Sequence, residues 1–157
     1  MLYRLFQPAN FPQLYAIEEI CFQPPLRFSC ALMRKLTEST QNATWIAEED
    51  GQLAGFAIVD LKAGSDRRAA YIQTIEVLPE RRGQGIGDEL LRRVESSARE
   101  SAAKAIWLHV ATDNSAAIRL YEAHGYSRQG REEHYYARHQ PAFIYSKVLS
   151  PSVPSHG

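Results

Sequence analysis

The chain has 157 residues, enough for one domain with a single sizeable core. Apolar residues make up 45% and charged residues 23%, and Lys+Arg balance Asp+Glu at 18 each. That balance excludes a global field pulling the chain toward nucleic acid or an anionic membrane, so neither is expected as a partner.

Leu2–Gln7 reads as a first strand, and Pro8-Ala-Asn10 turns the chain. Asn10 precedes a helix over Phe11–Phe22, where Phe11, Leu14, Ile17 (or Glu18) and Cys21 recur at helical spacing. Glu18, Glu19 and, further on, Glu122 read as solvated helix charges. Pro24-Pro25 blocks any continuation. Ser29 is a fitting N-cap for a second helix, Cys30–Ser39.

Trp45–Glu48 and Leu53–Asp60 are apolar runs around Asp50-Gly51, a hairpin signal. Lys62–Arg68 is a polar loop, and Tyr71–Leu78 a further strand closed by Pro79. From Gly85 the period becomes helical. Ile86, Leu90, Leu91, Val94 and Ala98 form one stripe, with Glu89, Arg92, Arg93 and Glu95 facing away. Ala105–Val110 is a short strand. Asn114–His124 is a helix, with Asp113 or Asn114 as N-cap and Gly125 after its end. Tyr126–Tyr136 and Ala142–Leu149 are the last strands, joined through His139-Gln-Pro141.

The order β-αα-βββ-α-β-α-ββ predicts an α+β fold with a mixed sheet rather than a doubly wound parallel one. Residues 1–149 are expected to form one domain and 150–157, rich in Pro and Ser, a fraying tail. The N-terminus lacks a basic stretch followed by an apolar one, and no apolar run approaches a membrane span. The two cysteines, Cys21 and Cys30, have no histidine partners at zinc-site spacing, so no metal is expected. They read as reduced, buried or half-buried thiols, which suits a cytoplasmic location.

Arg82-Gly83-Gln84-Gly85-Ile86-Gly87 falls between a strand and a helix start. Free N–H groups and partial positive charge at such a start suit a pyrophosphate. Glycines let the backbone approach it, and Arg81 and Arg82 add charge. A P-loop needs Gly-Lys-Ser/Thr, and Gly87-Asp88 stands there instead. A dinucleotide turn needs G-x-G-x-x-G near a first strand, whereas this is G-x-G-x-G midway along the chain. A glycine-rich turn with no ligand remains an alternative on glycine count alone.

VLPERRGQGIG, residues 77–87, resembles the acetyl-CoA pyrophosphate loop of GNAT acetyltransferases. Asn114–Tyr126 is similar to the same family's second signature, N-x-x-A-x-x-L-Y-x-x-x-G followed by Phe or Tyr. The resemblance covers roughly Tyr71–Tyr126. It implies a GNAT fold with six to seven strands and about four helices, and acetyl-CoA as co-substrate. By this resemblance the backbone of Ile75, Glu76 and Val77 pairs with the pantetheine arm. Arg82, Gly83, Gln84, Gly85, Ile86, Gly87 and Asp88 hold the pyrophosphate, and Asn114, Ala117 and Tyr121 line the rest of the cofactor site.

Acetyl transfer to an amine requires a neutral amine, donors for an oxyanion and a proton for the departing thiolate. His109, on a strand, is a candidate base, since an imidazole can accept a proton near neutral pH; a satisfied half-buried histidine is the alternative. Leu-His-Val110 followed by Asn114 resembles protein N-terminal α-acetyltransferases, one subfamily of which has His as base where RimI-type enzymes have Glu. Tyr71 matches the residue that assists that base. Tyr121 matches the family's general acid, although its helical face also suits core packing. Asn114 serves equally as an N-cap.

Glu76 faces opposite to Ile75 and Val77 and could enter the acceptor cleft as base or amine anchor. Tyr135 and Tyr136 resemble the Tyr-Tyr segment that grips the peptide backbone in N-terminal acetyltransferases; by alternation one at most lines the cleft. Phe28, in the turn between the first two helices, forms the other wall. That turn departs from the RimI-type pattern, with Leu26 where Trp is usual. No acidic cluster marks a polyamine or aminoglycoside site.

The implied activity is direct acetyl transfer to a primary amine, foremost a protein or peptide N-terminus, by a monomer or homodimer. Alternatives are a small amine or lysine side chain as acceptor, and a non-catalytic CoA-binding module.

Overall fold

The computed structural model describes residues 1–62, 69–137 and 140–150, and the side chains of residues 136 and 137 fall outside that description. Most of the expected 62–68 loop, His139 and the tail beyond Ser150 lie outside the described residues.

Seven strands form one sheet: β1 (Leu2–Leu5), β2 (Asn42–Glu49), β3 (Gln52–Asp60), β4 (Ala69–Val77), β5 (Ala105–Ala111), β6 (Ser127–Ala137) and β7 (Gln140–Val148). Four helices accompany them: α1 (Phe11–Cys21), α2 (Cys30–Glu38), α3 (Ile86–Glu100) and α4 (Ser115–Ala123). The sheet order is β1-β2-β3-β4-β5-β7-β6. Only β4 and β5 run parallel; the other neighbours are antiparallel. The expected mixed sheet and element order are both observed.

Local chemistry explains the boundaries. Asp50 and Gly51 both take positive φ, as a two-residue hairpin turn requires. The Ser29 hydroxyl accepts from Leu32 N–H and caps α2, and the Asn114 side chain accepts from Ala117 N–H and caps α4. β3 is apolar almost throughout because it is central and buried on both faces. Its alternation sorts the two cores. Ala57 and Val59 pack with Leu90, Leu91 and Val94 of α3. Phe56 and Ile58 pack with Leu14 and Ile17 of α1 and Met33 of α2. Each fully buried leucine here contributes about 2 kcal/mol.

Several expectations need correction. Glu18 is buried, because α1 presents Ile17 and Glu18 together to the sheet. Glu95 is buried too, and is paid for by a hydrogen bond from the Tyr126 hydroxyl at 2.8 Å and a contact with Lys147 Nζ at 3.1 Å. Burial and the neighbouring Glu95 push the Tyr126 phenol well above its ordinary pKa. Cys30 is exposed rather than buried, since it opens α2 on the solvent side. Gln140 and Pro141 belong to β7 and not to a connecting loop.

Gly55 pairs with Val77 across the β3–β4 ladder. A Cβ there would lie 2.5 Å from the Glu76 carbonyl oxygen and 3.2 Å from Val77 Cα. Both contacts are backbone and cannot swing aside. Gly55→Ala is therefore expected to destabilise the fold by about 1–3 kcal/mol, read as a lowered midpoint in urea unfolding.

Candidate active site

The site begins where β4 and β5 separate. Their parallel pairing runs from Ala69↔Ala105 to Ile72↔Leu108. Beyond it, β4 stays with β3 as far as Val77↔Gly55, and β5 stays with β7 as far as Ala111↔Ala142. Each strand follows its outer neighbour, and a wedge opens between them. A cleft of about 610 Å³ fills that wedge, within the range of small-molecule sites.

The start of α3 lies at one end of the cleft. Gly83 and Gly85 adopt φ of +78° and +82°, with no atom near where a Cβ would stand. This left-handed backbone suits glycine and leaves open space for a ligand to approach the helix N–H groups. Of the expected cofactor residues, all but Gln84 line the cleft; the Gln84 side chain lies beside Arg81 instead. Arg82 Nε donates to the Val77 carbonyl at 2.9 Å, and Arg81 pairs with Glu49. Asp88 stands in the first turn of α3, and His124 Nε2 meets its carboxylate at 2.8 Å.

A smaller cavity of about 70 Å³ adjoins the cleft, lined by Glu18, Phe22, Phe28, Thr74, His109 and Tyr121 among others. Tyr121 and Ile75 belong to both walls. Phe28 is held by its neighbours: its N–H donates to Glu18 Oε2 at 3.0 Å and its carbonyl accepts from the Tyr15 hydroxyl at 2.9 Å.

His109 and Tyr71 come together as the sequence suggested. The Tyr71 hydroxyl is 2.9 Å from His109 Nδ1 and 3.0 Å from the Tyr135 hydroxyl. The Tyr135 ring stacks on His109 at 3.9 Å. His109 Nε2 is buried 3.2 Å from Glu132 Oε1, close enough for an ion pair but off the hydrogen-bonding direction. With the proton on Nε2, facing Glu132, Nδ1 accepts from the Tyr71 hydroxyl. Tyr135 reaches the ring because the β6–β7 register slips between Glu132 and Ala137, with His134 at φ 60° inside the slip. Such a bulge re-aims side chains, so simple alternation fails there. The Tyr136 side chain lies outside the described residues.

Sequence reasoning missed Glu18, Glu132 and Cys21. Glu76 is buried as its alternation implied, and its Oε2 accepts from the Thr74 hydroxyl at 2.8 Å. Burial and the adjacent Glu18 carboxyl raise its pKa above the ordinary carboxylate value. Glu18 lines the smaller cavity and Glu76 the larger cleft.

The profile of the Acetyltransferase (GNAT) family matches residues 11–126. The chain belongs to the GNAT acetyltransferase family. Within this family the chain is 39% identical over 100 residues to streptothricin acetyltransferase of Streptomyces lavendulae, covering 63% of this chain and 52% of that protein. It is 28% identical over 161 residues to N-alpha-acetyltransferase 60 of Xenopus tropicalis, covering 88% and 66%. The chain thus spans between half and two thirds of the length of these curated relatives. Its fold matches that of Arabidopsis thaliana NAA60 in complex with acetyl-CoA, with a TM-score of 0.81 at 20% identity over 94% of this chain and 98% of that one.

Cys21 lines the cleft, and burial followed by the nearby Glu76 charge pushes its thiol up to about 11. At pH 7.5 about one molecule in a thousand or fewer carries the thiolate there. Iodoacetamide at that pH is expected to label exposed Cys30 and spare Cys21, as read by peptide mass mapping. Cys21 labelling grows only as pH rises toward 11.

Proposed function

We propose that this chain is an acetyl-CoA-dependent N-acetyltransferase that passes the acetyl group directly to a primary amine, foremost the N-terminal α-amine of a protein or peptide. The observation that carries this reading is the wedge between β4 and β5, with the α3 glycine turn at one end and the Tyr71–His109–Glu132 chain at the other. The name of the Xenopus relative supports an α-amine acceptor.

In this reading the backbone of residues 83–88 binds the pyrophosphate, and Ile75–Val77 presents its free backbone edge to the pantetheine arm. A backbone N–H near Val77 faces the oxyanion. The Tyr71 hydroxyl receives a proton from the amine as it gives its own to His109 Nδ1. Glu132 then faces the resulting imidazolium and offsets its charge. Tyr121, on the shared wall of the two cavities, protonates the departing thiolate. Phe28 and Tyr135 flank the acceptor's path, and Tyr136 follows Tyr135 along the same strand.

A second reading takes a small cationic amine as acceptor. The buried Glu18 and Glu76 favour it, and so does the likeness to streptothricin acetyltransferase. A panel of short peptides, the same peptides with blocked N-termini, and small diamines separates the two when CoA thiol release is followed. Free peptides turning over while blocked ones stay silent is the expected result. Preference for diamines selects the second reading.

His109→Ala is expected to lower kcat by about two orders of magnitude or more; turnover near wild type across the pH range removes His109 from the mechanism. Glu132→Gln keeps the side-chain size but removes the charge facing the imidazolium. It is expected to lower kcat about tenfold while leaving KM for acetyl-CoA in place, because the imidazolium formed in the reaction loses its facing charge. An unchanged kcat assigns Glu132 no part in proton removal.

A further inference from the structure

Tyr71 and His109 meet without sharing a register. The β4–β5 ladder sets Tyr71 opposite Trp107 and ends one pair later, at Ile72↔Leu108. His109 lies beyond that last pair, where the two strands have begun to part. The 2.9 Å contact between the Tyr71 hydroxyl and His109 Nδ1 is therefore a diagonal reach across the opening wedge. No backbone pairing between β4 and β5 fixes it, so the tilt of the two rings decides whether the reach succeeds.

Trp107 fills the corner of that diagonal. It alternates with the buried Ile106 and Leu108 and stands on the same sheet face as Tyr71 and His109. Its ring centroid is 4.5 Å from that of Tyr71, at an interplanar angle of 64°, and 5.4 Å from that of His109, at 61°. Tyr71 and His109 are themselves 5.7 Å apart at 60°. The three rings close a triangle in which each is tilted against the other two. Edge contacts of this kind favour a defined angle, and a rigid indole in the corner leaves neither neighbour room to turn. The next residues on this face of β5 and β7 are small: Ala105 two positions back and Ser146 directly opposite. Trp107 lines neither the cofactor cleft nor the smaller cavity. What it contributes to the site passes through its two ring neighbours.

We infer that Trp107 is a positioning residue for proton removal: its indole sets the orientation in which the Tyr71 hydroxyl meets His109 Nδ1. That contact fixes a tautomer as well as a distance. While Nδ1 accepts from the phenol, the ring proton stays on Nε2, facing Glu132. Both rings have to keep their angles for the proton to pass, since misplacement by about 1 Å costs roughly a hundredfold in rate. Assigning the pair to proton removal rests on the acetyl-transfer reading; the hold of Trp107 on the tautomer does not.

The test reads the His109 tautomer by ¹H–¹⁵N NMR in protein carrying ¹⁵N-labelled histidine, without cofactor or amine. The measurement is made at about pH 9, above the ordinary titration range of imidazole, and His109→Gln identifies the signal. A single tautomer with its proton on Nε2 is expected in wild type. Trp107→Leu is expected to show both tautomers, and Trp107→Phe, which keeps a ring in the corner, mainly the first. In turnover, Trp107→Leu is expected to lower kcat about tenfold or more, with KM for acetyl-CoA in place and most of the rate kept in Trp107→Phe. Added to Tyr71→Phe, which removes the hydroxyl, Trp107→Leu is expected to cost nothing further, whereas a general loosening of the sheet multiplies with it. Trp107→Met, unbranched and without a ring, repeats each measurement if Trp107→Leu melts early. Mixed tautomers in wild type, one tautomer retained in both the Leu and Met variants, or an unchanged kcat overturns the inference. So does a full loss in the Tyr71→Phe background, or an effect confined to KM for acetyl-CoA. The expected tautomer pattern without any acetyl transfer keeps the positioning role and removes the transferase reading; transfer by wild type with the tautomer unmoved in every Trp107 variant does the reverse.

Discussion

The short parallel contact between β4 and β5 governs the rest of this molecule. Four residue pairs hold the two strands together before they separate. Had the ladder continued, the backbone groups of Ile75–Val77 would be consumed by pairing and no wedge would exist. The separation is stable because each strand has a complete antiparallel partner on its other side. Backbone groups left bare by the wedge are the ones a ligand can use. The missing side chain at Gly55 belongs to the same design, since it lets β3 follow β4 closely out to the wedge.

The two faces of the sheet treat buried charge differently. On the α3 face, Glu95 meets Tyr126 and Lys147, and Arg99 lies 3.7 Å away. That cluster is closed and joins α3 to β7. On the α1 face, Glu18 and Glu76 meet each other. The first arrangement satisfies its acceptors from within the chain, as structural polar networks do. The second leaves one buried oxygen of each carboxyl without a donor, which a structural polar network does not do.

Much of the fold was legible in the sequence because its signals are local. The Asp50-Gly51 turn, the Ser29 and Asn114 caps, and the Ile86–Ala98 stripe each follow from a few neighbouring residues. The glycine turn at the start of α3 was legible for the same reason, being one continuous segment. The surroundings of the smaller cavity were not. Glu18 follows Ile17 at a spacing that fits either face of α1, and only packing against β4 decides between them. Glu132 reaches His109 through a strand irregularity that period-two counting cannot register. Cys21 enters the cleft because α1 ends beside Val77, a long-range contact without a local sign.

The Glu18 carboxyl ties two parts of the chain together. One oxygen accepts from the Phe28 N–H at 3.0 Å, and the other is buried without a donor. A side chain of α1 thereby fixes the backbone of the turn that leads into α2, so any displacement of α1 carries that part of the cavity wall with it.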